Sequence, residues 1–336
     1  MKNRFEVLDG WRGISILCVF AGHLFPLGLH RWEFNGAVAA TGMVLFFILS
    51  GFLITNMLMR DQNILNFLIR RFMRIVPLAW LALSLALYFN NATTHQWFSN
   101  MFFYANWPPM GLMESTSHFW SLCVEVQFYL LISILVYIFK EKTFWLLPIL
   151  AVCVTSYRVF ESAQIAINTY FRVDEILAGC ILALIYNRGA DSIKVFIGKL
   201  DSITLLILLL FSAHPFSGPL NYLRPYIAML LVGSTLFVKD DNWVTAVLKT
   251  RILFYIASIS YALYVIHGIL IDTWLGSGDK LIRYLKRPLL LAVTIALAHL
   301  STKYYESYWI KLGKSLTRRN ILNESKDSPN KPSALP

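Results

Sequence analysis

An arginine and a histidine share the apolar stretch "LDGWRGISILCVFAGHLF", residues 8–25, with Arg12 near its start and His23 near its end. Eleven positions separate them. At 3.6 residues per turn that is close to three whole turns, so a helix here projects both from one face, roughly 16 Å apart along its axis. An arginine at a helix end keeps its guanidinium in the interface while its stem lies on apolar surface. The histidine is carried deep into the run. There it either hydrogen-bonds a neighbouring helix or does chemistry, since an ionisable group inside an apolar span is a functional candidate by default.

Further polar groups recur inside apolar runs. In "FLIRRFMRIVPLAW", residues 67–80, Arg71 and Arg74 are three apart and share a face, with Arg70 beside them. Such a cluster is either a topology anchor or a clamp for phosphate, which arginine suits by its planar fork of donors. In "SHFWSLCVEVQFYL", residues 117–130, Glu125 sits alone among apolar neighbours. Facing lipid it would cost several kcal/mol, so it must turn to the bundle or a wet cavity. His118 and Ser121 line its face if the helix already starts at 118; a charge network that only fixes packing is the alternative. "FRVDEILAGC", 171–180, offers Arg172, Asp174 and Glu175, with a local ion pair as one component. "SISYALYVIHGIL", 258–270, places His267 in a span with Ser260 and Tyr261. "YYESYW", 304–309, puts Glu306 near a final interface, where a solvated carboxylate is the plain reading. "FFILSGFLIT", 46–55, has no ionisable group, and Ser50 and Gly51 read as small residues for close helix packing. Cys18, Cys123, Cys153 and Cys180 read as small buried hydrophobes. No pair has metal-ligand spacing, and no disulfide framework or metal site is indicated.

The elements that must position these groups are helices in a bilayer. The chain is 57% hydrophobic and 15% charged, where a soluble domain carries about 25% charged residues. Apolar runs long enough to span recur, and lipid leaves the backbone no partner outside a helix. The reading is an all-α polytopic membrane protein with about ten transmembrane helices around a polar interior. The expected spans are 11–29, 36–58, 74–90, 121–139, 143–160, 172–187, 201–214, 222–238, 252–274 and 288–309. The seventh, "SITLLILLLFSA", is too short to cross alone. The net charge of +11 does not point to nucleic acid, because the basic residues cluster at the ends of apolar runs. Lys2 and Arg4, Arg60 to Arg74, Lys140 and Lys142, and Arg188 to Lys199 fall on one side, expected to be cytoplasmic. The segment 91–116 has no Lys or Arg and should face outward. One loop disagrees: "GDKLIRYLKRP", 278–288, carries four basic residues yet falls outside if all ten segments cross. Residues 312–336 are polar, rich in Ser, Asn and Pro, and expected to form a disordered cytoplasmic tail. No signal peptide is expected; the first helix reads as its own anchor.

Taken together, these residues could form a polar interior running from a cationic inner mouth to a histidine nearer the outside. That suits a cytoplasmic anionic donor whose reactive end must reach through the membrane.

Over residues 4 to 311 the sequence resembles the acyltransferase 3 family. "LDGWRGISILCVFAGH" is similar to the family's opening Arg-ten residues-His on Arg12 and His23. "FFILSGFLIT" is similar to its second-span motif, and "RRFMRIVP" to Arg-x-x-Arg-x-x-Pro on Arg71, Arg74 and Pro77. "HFWSLCVEVQFYL" is similar to His-x-Trp-Ser-Leu-x-x-Glu on His118, Trp120, Ser121 and Glu125, and "SYALYVIHGIL" to a late Ser-Tyr…His segment. Val126 stands where a second acidic residue is common, and Ser307 and Tyr308 replace the usual Arg-Pro or Leu-Pro. The resemblance implies a single domain at 1–311 in the inner membrane, which completes the transfer without an appended hydrolase-like domain. It implies transfer of an acyl group, usually acetyl from acetyl-CoA as co-substrate with no resident cofactor. The acceptor would be a hydroxyl of a surface glycan or its lipid-linked precursor; the alternatives are a small molecule or a peptidoglycan sugar as acceptor, or a non-catalytic transporter of lipid-linked sugar. It further implies donor binding by Arg12, Arg71 and Arg74 and catalysis by His23 and Glu125. A neutral imidazole can remove a hydroxyl proton as attack begins.

Overall fold

The computed structural model describes residues 5–239 and 242–327. Its main helices are α1 (Glu6–Leu24), α2 (Phe34–Arg60), α3 (Ile64–Phe89), α4 (Thr94–Met101), α5 (Trp120–Phe139), α6 (Thr143–Phe160) and α7 (Thr169–Arg188). They continue as α8 (Asp191–Gly198), α9 (Ser202–Ser212), α10 (Arg224–Leu236), α11 (Trp243–Leu248), α12 (Arg251–Ile271), α13 (Lys280–Leu300) and α14 (Ser307–Asp327). Short 3-10 turns lie at Ser117–Phe119, Lys140–Lys142 and Pro215–Leu223, and a π-helical stretch at Ser301–Glu306 joins α13 to α14. No strand occurs among the described residues, and the protein is an all-α polytopic membrane protein.

Each of the first nine expected spans falls on one α-helix, while the tenth, 288–309, runs from α13 through the π-helical stretch into α14. Among the described residues five helical stretches are long and apolar enough to cross a membrane, one of them the continuous run Ser117–Phe160 that holds both α5 and α6, or six if α8 and α9, bent by 79°, count as one. Length and composition therefore do not establish ten crossings. Alternation does show in the contacts. At the end where α1 begins, here called lower, Phe5 packs edge-on against Phe52 of α2 and Tyr186 of α7, and Tyr186 stacks on Phe237 just past α10. Arg188 pairs there with Glu141 in the α5–α6 turn. At the upper end, His214 Nε2 meets the Trp32 carbonyl oxygen at 2.7 Å in the α1–α2 connection. The weak seventh segment is tied to both ends, since Ser202 at the start of α9 bonds Ser234 of α10 at 2.9 Å while His214 closes its far side. Its 11 residues rise only about 16 Å, so the bundle is thin here, and a thinner bilayer region suits it.

The core depends on close backbone approach. A Cβ on Gly51 of α2 would lie 2.0 Å from the Ile176 carbonyl oxygen of α7, and one on Gly179 of α7 would lie 2.1 Å from the Ile48 carbonyl oxygen. The two glycines thus admit each other's helix, the contact expected of the small residues in "FFILSGFLIT". α2 is apolar on nearly every side, with Val44, Leu45, Phe47, Ile48 and Phe52 each fully buried, as befits the central helix of a bundle.

Three expectations change. The basic segment 278–288 is not a loop beyond Asp279: α13 begins at Lys280, capped by the Asp279 carboxylate accepting from the Ile282 amide at 2.9 Å. Its basic side chains line a helix end, where Lys286 Nζ donates to the Trp274 carbonyl at 2.7 Å. Over residues 312–327 the segment read as disordered continues α14. Gly313 seats on Met73, and Arg70 Nε donates to the Thr317 hydroxyl at 3.1 Å. Leu316 adds an apolar side chain beside Leu68, Ile69 and Phe72 of α3. Residues 328–336, with Lys2 and Arg4, lie outside the described residues. Cys153 is exposed rather than buried, whereas Cys123 and Cys180 are buried.

α14 docks on the first turns of α3, so it shares the lower end with the start of α1. On a cysteine-free background, a membrane-impermeant thiol reagent applied to intact spheroplasts should label Ser277→Cys and spare Ser315→Cys; the reverse would break the alternation. Gly51→Val should lower the melting temperature of the purified protein through overpacking of about 1–3 kcal/mol or more, with Ser258→Ala, at an exposed position, as the neutral control.

Candidate active site

Three histidines from separate helices converge in the upper half of the bundle. α1 brings His23, the 3-10 turn before α5 brings His118, and α12 brings His267. His23 Nδ1 lies 3.1 Å from His267 Nε2, and the two rings are nearly parallel, with centroids 5.3 Å apart. The His118 ring centroid is 5.2 Å from that of His267. His267 is buried, and its Nδ1 lies 2.6 Å from the Tyr264 carbonyl oxygen on its own helix.

That last contact fixes the proton arrangement of the neutral pair. A carbonyl can only accept, so His267 Nδ1 carries the hydrogen and Nε2 is the accepting nitrogen. His23 Nδ1 must then donate to it, which leaves His23 Nε2 with the free lone pair. His23 keeps exposure onto a cavity of about 310 Å³ lined also by His118, Trp120, Arg172, Arg224 and Tyr264. The arrangement can take a proton from a hydroxyl placed in that cavity.

His118 reaches this cluster because α12 has a glycine opposite it. A Cβ on Gly268 would come 2.2 Å from His118 Nδ1. His118 Nε2 sits 3.3 Å from the Val265 carbonyl oxygen, and Tyr264 donates its hydroxyl to the His118 carbonyl and meets Ser121 Oγ at 2.6 Å. α5 and α12 are thus joined at the site itself. Ser260, expected in the same span, turns back to the Ala257 carbonyl at 2.9 Å and stays outside the cluster.

Glu125 lies seven residues, about 10 Å, below His118. Its carboxylate accepts from the hydroxyls of Ser50 and Tyr129 and is buried. Among the described residues no hydrogen bond joins Glu125 to a histidine. Arg12 lies within electrostatic reach of Arg74, Asp9 and Arg71, and more weakly of Glu125. Arg12 pairs with Asp9 at 3.5 Å. Arg71 lies over the Tyr129 ring at 5.6 Å. Arg70 turns away to α14, so Arg12, Arg71 and Arg74 form the lower cationic set. Glu306, in the π-helical stretch, is buried, accepts from Thr302 Oγ1 at 2.8 Å and lies within reach of Arg74. A solvated carboxylate is therefore not what the structure gives.

The third group is a buried ion network. Arg172 pairs with Glu175 at 3.0 Å and lies over Trp120 at 5.1 Å. Asp174 pairs with Arg158 rather than with its helix neighbour. Arg224 adds a second guanidinium on Glu175 at 2.8 Å. Sequence reasoning missed Arg158, Arg224, Tyr129, Tyr264 and the polar role of Ser50. Tyr264 was within reach, three residues before His267 on one face, as was Tyr129, four after Glu125. Nothing local marked Ser50, whose partner is 75 residues away.

The SAR0937 protein of Staphylococcus aureus (strain MRSA252), which carries a provisional O-acetyltransferase name, is 26% identical over 93% of this chain and 58% of its own length. The peptidoglycan O-acetyltransferase OatA of Listeria monocytogenes serovar 1/2a is 24% identical over 89% of this chain and 55% of its own. The O-acetyltransferase OatA of Staphylococcus aureus (strain NCTC 8325 / PS 47) is 27% identical over 58% of this chain and 38% of its own. The chain spans little more than half the length of the first of these relatives. No solved structure matches it. The family profile described as "Acyltransferase domain" matches residues 5–302, nearly the whole described bundle; the chain belongs to the acyltransferase 3 family.

Proposed function

We propose that the protein is a membrane-embedded O-acyltransferase. It moves an acyl group, acetyl by preference, from acyl-CoA at the lower end to a hydroxyl of a surface glycan or its lipid-linked precursor in the upper cavity. The observation that carries this reading is the histidine pair, whose hydrogen-bond order leaves His23 Nε2 with the free lone pair on a side chain that lines the cavity. The named O-acetyltransferase relatives support it.

The lower cationic set suits the phosphates of CoA, since arginine forks match phosphate oxygens. Acyl-CoA is cytoplasmic, which makes the lower end cytoplasmic and the membrane the inner one. From Arg12 the thioester arm must reach about 16 Å to His23, passing Glu125. That carboxylate, held by Ser50 and Tyr129, acts as a fixed counter-charge to Arg12 along the route rather than as the base. At the upper end the acceptor hydroxyl gives its proton to His23 Nε2 while its oxygen attacks the thioester carbon. A carbon–oxygen bond forms and the carbon–sulfur bond breaks. The imidazolium returns its proton to the departing CoA sulfur, and His23 is restored. His267 is a positioning residue, holding the His23 ring and its tautomer. The second reading for the acceptor is a peptidoglycan sugar, favoured by the name of the Listeria relative.

With purified protein and acetyl-CoA, His23→Ala should lower thioester turnover by about 10²–10⁴-fold, the usual cost of losing a general base. His267→Gln, whose side-chain oxygen can accept from His23 Nδ1, should keep more activity than His267→Phe at equal donor KM. Equal rates in the two His267 variants would remove the positioning role. Undiminished turnover in His23→Ala would remove the base, and no turnover by the wild type would favour a transporter of lipid-linked sugar.

Arg71→Ala and Arg74→Ala should raise the KM for acetyl-CoA about tenfold or more through lost charge-assisted bonds. Arg74→Lys should fall between, because lysine is a point charge. An unchanged KM in all three would return the cluster to a topology anchor.

A further inference from the structure

Arg172 and Arg224 line the same cavity as His23 and His118, and among the described residues no acidic one lines it. Both guanidinium groups are buried, with Arg172 5% and Arg224 2% exposed. The charged groups within reach of Arg172 are Glu175, Arg224, Arg158 and Asp174. Glu175 serves two of the arginines: its Oε1 takes Arg224 Nε at 3.0 Å, and its Oε2 faces Arg172 at 3.0 Å. Asp174 is taken by Arg158, which also donates to Asn221 at 3.1 Å. Three arginines against two carboxylates leave one positive charge over. Among the described residues Arg172 Nε and Arg224 Nη2 are buried without a hydrogen-bond partner, as are Asp174 Oδ1 and Glu175 Oε2. A surplus cation in a buried site is costly unless an anion completes it. Here the open direction is the cavity, because the two arginines line it and among the described residues no carboxylate does.

We infer that Arg172 and Arg224 form an anion-recognition subsite for a carboxylate or phosphate on the acceptor. This rests on the acyltransferase reading. The subsite holds the acceptor by its charge and turns a neutral hydroxyl of the same molecule toward His23 across the cavity. The ring of Trp120, under Arg172, and that of Tyr264 supply flat apolar surface for the sugar between the two ends. Glu175 keeps both arginine forks in place when the subsite is empty, so an anion finds them preorganised. A neutral glycan leaves the surplus charge unmatched and binds more weakly. The acceptor class is therefore an acidic sugar or a sugar close to a phosphate linkage.

The test uses detergent-purified full-length protein and three probes: a methyl glucoside, the matching methyl glucuronide, and glucose 1-phosphate. Affinities are read by saturation-transfer NMR. The wild type should bind at least one charged probe about tenfold or more tighter than the neutral one. Preference for the glucuronide points to a sugar carboxylate, and preference for the phosphate to a phosphate linkage. Arg172→Gln should abolish the preference, with Arg172→Lys intermediate. Equal binding of all three probes by the wild type overturns the subsite without any variant, as does a preference that survives Arg172→Gln in folded protein. Thioester turnover on the same sample separates the two claims. Turnover without anion preference removes the subsite alone; anion preference without turnover removes the acyltransferase reading alone.

Discussion

A bilayer offers no hydrogen-bond partner to a polar side chain, and most of this structure follows from that single constraint. Arg158, Arg224, Asp174, Glu175, Glu125 and His267 are all buried. Each of them could stay inside apolar helices only by turning inward and finding another polar group. The helices are arranged so that they do. The result is a polar interior in three parts: arginines low, Glu125 with its two hydroxyl donors at mid-height, and histidines with an ion network above.

The close contacts of α2 serve this arrangement. Gly51 and Gly179 let α2 and α7 touch backbone to backbone, which brings Ser50 to a height where it can donate to Glu125 of α5. A side chain at either glycine would part α2 from α7. The same logic holds at Gly268, where the missing Cβ makes room for the His118 ring. Packing and chemistry are therefore not separable here. The residues that look like spacers set the distances on which the polar network depends.

The hydrogen-bond order of the histidines has a similar economy. A carbonyl oxygen fixes one proton on His267, and that proton decides the next along the chain. A lone histidine in the same cavity would exchange tautomers freely. Coupled to His267 and through it to the backbone of α12, His23 presents one nitrogen in one state.

Much of this was legible in the chain itself. Apolar runs with basic ends gave the helices and their alternation, because both are set locally by transfer to lipid. The eleven-residue spacing put Arg12 and His23 on one face, since helix geometry is the same everywhere. Isolated ionisable residues in apolar runs marked Glu125, His118, Arg172 and His267 as inward-facing. The sequence could not say which of these meet. That Glu125 belongs with Ser50, and His23 with His267, depends on how residues 75 and 244 positions apart in the chain pack together. Nor could it show that Arg224 shares Glu175 with Arg172, or that the polar segment after Leu312 continues as a helix against α3. Local composition determines which side chains must leave the lipid; only the packed bundle decides which partner each one finds, because hydrogen bonds act over about 3 Å and that distance is set by tertiary contact.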